Sequence, residues 1–173
     1  GGFIPWDDDI DIMMPRPDYD RFCKLFHYDG LGIISEHDTD CYINFCRVYD
    51  TDQTIIETKM VFAKGYKYGI WIDIFPVDGA EETFELFSKR YKQIRRLFEF
   101  QCTLRAARSP FFDNTSFKEK IILLCKKVLT LHGMLLPIIE HNLVEKSQII
   151  PYGSTDYCAL LSGLAPNPRR HNI

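Results

Sequence analysis

The stretch Trp6-Asp7-Asp8-Asp9-Ile10-Asp11-Ile12 constrains this chain more than any other. A solvated acidic run does not normally alternate with isoleucine or sit between Ile4-Pro5 and Met13-Met14. In an extended strand, alternate side chains share a face, so Asp7, Asp9 and Asp11 point one way and Ile10 and Ile12 the other. Carboxylates held side by side resist ionising together unless a cation lies between them. Oxygen-only donors of this kind suit a hard, hydrated ion such as Mg²⁺, usually shared with a substrate phosphate. The plainer alternative is an acidic turn.

A second strand has the same texture. In Gly69-Ile70-Trp71-Ile72-Asp73-Ile74-Phe75, Ile70, Ile72 and Ile74 share one face, and Trp71, Asp73 and Phe75 the other. An acid amid apolar positions is costly to bury unless it is paired or ligates a cation. If the two strands are neighbours, Asp9, Asp11 and Asp73 converge, a geometry for one or two Mg²⁺ ions on a diphosphate. Asp73 is then ligand or proton acceptor. Asp7 and Asp8 add a ligand or fix the loop. The alternative for Asp73 is a buried acid hydrogen-bonded to backbone.

The chain has 173 residues, 46% hydrophobic and 26% charged, with net charge −3, the profile of one ordinary globular domain. That charge argues against a broad nucleic-acid footprint. Six cysteines are scattered with no C-x-x-C pair, so reduced thiols are expected rather than zinc ligation. The five histidines have no metal-ligand spacing. No apolar run is long enough to span a membrane.

Between and beyond the two acidic strands, Asp18 is expected to cap a helix burying Tyr19, Phe22, Leu25 and Phe26. Asp29-Gly30 is a turn, Leu31–Ser35 a short strand, and residues 42–58 a hairpin with strands at Tyr42–Val48 and Thr54–Thr58. Pro76-Val77-Asp78-Gly79 reads as a turn ending the second strand. From Glu82 the spacing of Phe84, Phe87, Tyr91, Ile94, Leu97 and Phe98 predicts a helix that stops at Ser109-Pro110. Further helices are expected from Ser116 to about Thr130 and from Pro137 to near Ser147, then a strand at Tyr157–Leu161. Strands first and helices later predict an α+β fold, a mixed sheet with helices packed on it and a helical C-terminal portion. The expected organisation is one domain, with a catalytic core at 1–80 and the helical portion at 81–173. Lys118, Lys120, Lys126 and Lys127 flank Ile121–Leu124 and Val128-Leu129. This stretch packs in the core or touches an anionic membrane surface.

Gly2-Phe3-Ile4-Pro5-Trp6-Asp7-Asp8-Asp9-Ile10-Asp11-Ile12, then Met14-Pro15-Arg16 and Asp18-Tyr19, resembles the signature of the LicD-type phosphotransferase family. Phosphocholine transferases belong to that family, and the fukutin-related proteins are its kin. Gly69–Pro76 resembles its second block, and Arg47 and Thr54 sit where members tend to carry an Arg and a Thr. The resemblance covers residues 1–79 in recognisable motifs and implies a nucleotidyltransferase fold.

It implies a CDP-activated donor, such as CDP-choline or a CDP-alditol, whose phospho-group passes to a hydroxyl of a cell-surface glycan. Teichoic acid, lipopolysaccharide and capsule are the glycan types in view. On this carry-over Asp7, Asp9, Asp11 and Asp73 hold Mg²⁺ (or Mn²⁺), and Asp73, Asp9 and Asp11 are the catalytic acids. Arg47 steadies phosphates, unless it is a surface hairpin residue, and Trp6 stacks on the base or walls off water. The expected location is cytoplasmic, with peripheral contact at the inner membrane face. The family pattern also implies a glycine-containing turn before Gly1 and a further segment after Ile173, so the chain reads as the middle portion of a transferase. Two alternatives stand beside this: a nucleotidyltransferase with another acceptor, and a non-catalytic remnant that binds nucleotide or glycan.

Overall fold

A computed structural model describes residues 10–38, 43–55, 69–106, 135–161 and 170–173, without the side chains of 102–106 and 135–137. These residues form six strands and three helices, an α+β protein, in two compact units that divide between Pro76 and Val77. The elements are β1 (Asp11–Pro15), α1 (Arg16–Leu25), β2 (Leu31–Ile34), β3 (Cys46–Asp50), β4 (Trp71–Gly79), α2 (Phe84–Ala106), α3 (Leu135–Ser147), β5 (Tyr157–Leu160) and β6 (His171–Asn172). Hydrogen-bonded ladders follow the order β2-β3-β4-β5-β6, and β1 pairs with β4. The expected helix over 116–130, with its basic stretch, lies outside the described residues.

In the first unit, β3 is flanked on both edges by antiparallel partners. Leu31–Ile34 pairs with Asp50–Arg47 on one side, and Cys46–Tyr49 with Ile74–Trp71 on the other. The hairpin expected over 42–58 is therefore not the partner arrangement of β3. Its strand runs on through Asp50, and with both edges filled it has none left for Thr54 and Ile55, which are in no strand.

One face of this sheet packs on α1. Tyr19, Cys46, Val48 and Ile74 are buried together, with Met14, Phe22, Cys23, Phe26, Ile33 and Ile72 against them. The helix departs from expectation at both ends. It begins at Arg16 with Pro17 in the first turn, so Asp18 is not its cap but lies inside that turn, where a carboxylate favours the helix dipole. Leu25 is 67% exposed and belongs to the solvent side, because Cys23 completes the inward face in its place. The Tyr19 hydroxyl donates to the Glu36 carboxylate, and burial together with that neighbouring charge raises the phenol's pKa. The described cysteines, Cys23, Cys46 and Cys158, are in no disulfide.

The end of β3 is tied to the start of β4 by one carboxylate. Asp50 Oδ1 accepts from the Asp52 and Gln53 amides, both at 3.0 Å, and its Oδ2 accepts from the Thr54 hydroxyl at 2.5 Å. Thr54 Oγ1 in turn accepts from the Ile70 amide at 2.9 Å, and the Gly69 amide donates to the Asp50 carbonyl at 3.1 Å. The Thr54 hydroxyl, with the two amides, lowers the Asp50 carboxyl from 3.8 to about 2. A depressed carboxyl contributes stability that is present above the unfolded value, near 4, and is lost as pH falls toward 2. Thr54→Val is expected to move the Asp50 titration back toward 3.8 and to weaken this tie, read by carboxyl-carbon NMR titration.

β4 continues where a turn was expected. Its ladder with β3 ends at Ile74 and its ladder with β5 begins at Val77, so the missing N–H of buried Pro76 falls where neither ladder needs a donor. Pro-x-Asp-Gly signals a turn locally, but a partner strand on hand overrides it.

In the second unit, Thr83 opens α2. Its carbonyl accepts from Phe87 at 3.1 Å and its hydroxyl from Leu86 at 3.4 Å. Phe87, Tyr91 and Ile94 then bury one helix face against Ala80, Leu143, Ala159 and Leu161. Each large side chain so buried contributes roughly 1.5–3 kcal/mol. Buried Arg90 donates to the Gly79 carbonyl at 2.6 Å and to the Lys146 and Ser147 carbonyls at the end of α3.

The Gly79 amide donates to the Ile150 carbonyl at 3.0 Å, and a Cβ on Gly79 would lie 2.4 Å from the Pro151 carbonyl oxygen. Backbone cannot yield cheaply, so Gly79→Ala is expected to cost about 1–3 kcal/mol, read by urea denaturation.

Candidate active site

Strand alternation decides what each side chain of β3 and β4 meets. Cys46, Val48, Ile72 and Ile74 go to the α1 face, which leaves Phe45, Arg47, Trp71, Asp73 and Phe75 for the other. On that face Arg47 and Asp73 are direct cross-strand partners. Arg47 Nε donates to Asp73 Oδ1 at 2.6 Å and Nη2 to Oδ2 at 2.7 Å, a bidentate pair. Their side chains are only 5% and 9% exposed. The guanidinium lies over the Trp71 ring at 4.4 Å from its centroid and 5.8 Å from that of Phe45, whose ring packs on Phe75 at 4.5 Å.

This arrangement supplies what the sequence required of Asp73: a buried acid with a partner. That partner is a side chain rather than backbone. Arg47 is buried on a central strand, so the surface-hairpin alternative for it is set aside. The pairing itself was missed from sequence. The available signal was two opposite charges, each in the middle of an apolar strand, which can only be buried together.

The described end of the first acidic motif, from Ile10 onward, neighbours the second. β1, which begins at Asp11, pairs with β4, and the Asp73 amide donates to the Ile10 carbonyl at 3.0 Å. Asp11 is exposed at the head of its strand, while Asp73 is buried in the middle of the first unit's sheet. Trp6, Asp7, Asp8 and Asp9 lie outside the described residues.

In donor chemistry, the described acids suit a hard divalent ion. A carboxylate that accepts one hydrogen bond on each oxygen keeps a lone pair on each. In number they fall short of a full set, since the described residues hold no group of three or more His, Cys, Asp or Glu able to bind a metal. Among the described residues, no helix is long and apolar enough to cross a membrane.

An α+β domain with two acid-bearing strands side by side, one acid clamped by a buried arginine, is the class that fold and site define. The chain belongs to the LicD/FKTN/FKRP nucleotidyltransferase-domain family, whose sequence model matches residues 1–105. It is 30% identical over 105 residues to the lipopolysaccharide cholinephosphotransferase LicD of Haemophilus influenzae (strain ATCC 51907 / DSM 11121 / KW20 / Rd). The match takes in 56% of this chain and 36% of that protein, so the chain spans well under two thirds of the relative's length. No solved structure matches it.

Proposed function

We propose that this protein transfers a phosphocholine or phospho-alditol group from a CDP-activated donor to a hydroxyl of a cell-surface glycan, with Mg²⁺ as cofactor. One observation carries the reading. The strand headed by Asp11 is paired with the strand that holds Asp73, although the two motifs are far apart in sequence. Membership of the family and the likeness to a cholinephosphotransferase support the phosphotransferase class.

On this reading Asp11 and Asp73, with Asp9 and Asp7, hold the ion through carboxylate oxygens. Bound Mg²⁺ supplies charge neutralisation on the pyrophosphate and on the leaving nucleotide oxygen. Asp73 is also the acid set to accept the attacking hydroxyl's proton. Arg47 supplies positive charge beside that carboxylate, and Trp71, with Trp6, forms an aromatic wall.

The test is product analysis with CDP-choline and CDP-ribitol in the presence of Mg²⁺ and glycan. Release of CMP with a new phosphodiester on the glycan is expected. Pyrophosphate release from a nucleoside triphosphate would favour a nucleotidyltransferase with another acceptor. Binding of nucleotide with no turnover would favour a binding role.

A further inference from the structure

We propose that Arg47 is a positioning residue for Asp73 rather than a phosphate ligand. This rests on the reading above, in which Asp73 holds a divalent cation. A direct grip on phosphate requires a guanidinium edge turned to substrate. Here the side chain is 5% exposed, and the Nε hydrogen and one Nη2 hydrogen are committed to the two oxygens of Asp73.

The fork of a guanidinium is planar and meets a carboxylate in that plane. Two bonds of 2.6 and 2.7 Å therefore fix the rotation of the Asp73 carboxylate, which a single contact leaves free. The fork is itself held. Its Cζ lies over the Trp71 ring at 4.4 Å from the centroid and 5.8 Å from that of Phe45, and the Arg47–Asp73 backbone register sets the distance. The lone pair left on each Asp73 oxygen then has a fixed direction.

A carboxylate with its orientation already fixed loses no rotamer entropy when it takes a metal or a proton. That is how groups behind a metal ligand tune affinity without touching the ion. Trp71 and Phe45 are part of the same device, because neither can hold a flexible ammonium in a plane.

Arg47→Lys separates this role from a phosphate contact, since lysine keeps the charge but lacks the rigid planar fork that fixes the carboxylate's rotation. The experiment is Mn²⁺ titration followed by electron paramagnetic resonance, with steady-state kinetics on CDP-choline, in the protein and its variants. For Arg47→Lys the expected result is Mn²⁺ affinity weakened by about 10–100-fold and kcat lowered, with the KM for the CDP donor within about twofold of the parent. Unchanged Mn²⁺ affinity and kcat with a raised KM would overturn the positioning role alone, and would return Arg47 to the phosphate. If the parent protein binds no Mn²⁺, the metal reading falls and takes this role with it.

Should Arg47→Lys fail to melt cooperatively, Trp71→Phe carries the test, because it keeps the ion pair and removes the indole. A weaker Mn²⁺ affinity in a folded Trp71→Phe protein supports the role, and an unchanged one overturns it.

Discussion

Arg47→Met is expected to lower the unfolding free energy by about 3–5 kcal/mol, because it leaves the Asp73 carboxylate buried with its charge uncompensated. The size follows from geometry already described: both partners are almost wholly buried, and both carboxylate oxygens lose a donor. The double variant Arg47→Met/Asp73→Leu is expected to recover most of that loss. Two apolar groups of similar volume need no desolvated charge between them, and buried ion pairs replaced in this way are often neutral or stabilised.

Urea denaturation of the parent, the single and the double variants closes the cycle. A single variant as stable as the parent would show that the pair is not the buried, bidentate contact seen on β3 and β4. The double variant matters for function as well. If it is stable yet inactive, the pair is kept for chemistry at a cost to stability.

Asp11→Asn is expected to reduce transfer by at least about 100-fold, on the scale of losing one fixed charge aimed at a transition state. Asp11 stands exposed at the head of β1, so its melting temperature serves as the control and transfer as the readout. An amide in place of the carboxylate keeps the shape but removes a charged oxygen ligand, so Mn²⁺ binding should fall with activity. Full activity in the Asn variant would remove the acidic strand from the mechanism and leave the family resemblance without its central residues.

What could be read from sequence, and what could not, follows the range of the interactions involved. Tyr19, Phe22 and Phe26 were legible on one helix face because their spacing is a local property. So was Asp73 as an acid in need of a partner. The identity of that partner was not legible, since the register that sets Arg47 opposite Asp73 depends on strands from separate parts of the chain. Pro76-Val77-Asp78-Gly79 was misread for the opposite reason: a strong local turn signal gives way once β5 offers a partner to Val77. Leu25 was misplaced because Cys23, small and unremarkable in sequence, fills the inward position. β6 has only two residues, too few to carry any period.

The knot at Asp50 and Thr54 bears on how this chain tolerates change. It fastens the points where the backbone leaves β3 and rejoins β4, through the Gly69 and Ile70 amides. One carboxylate thus serves both strands, and a change at Asp50 reaches the end of β3 and the start of β4 at once.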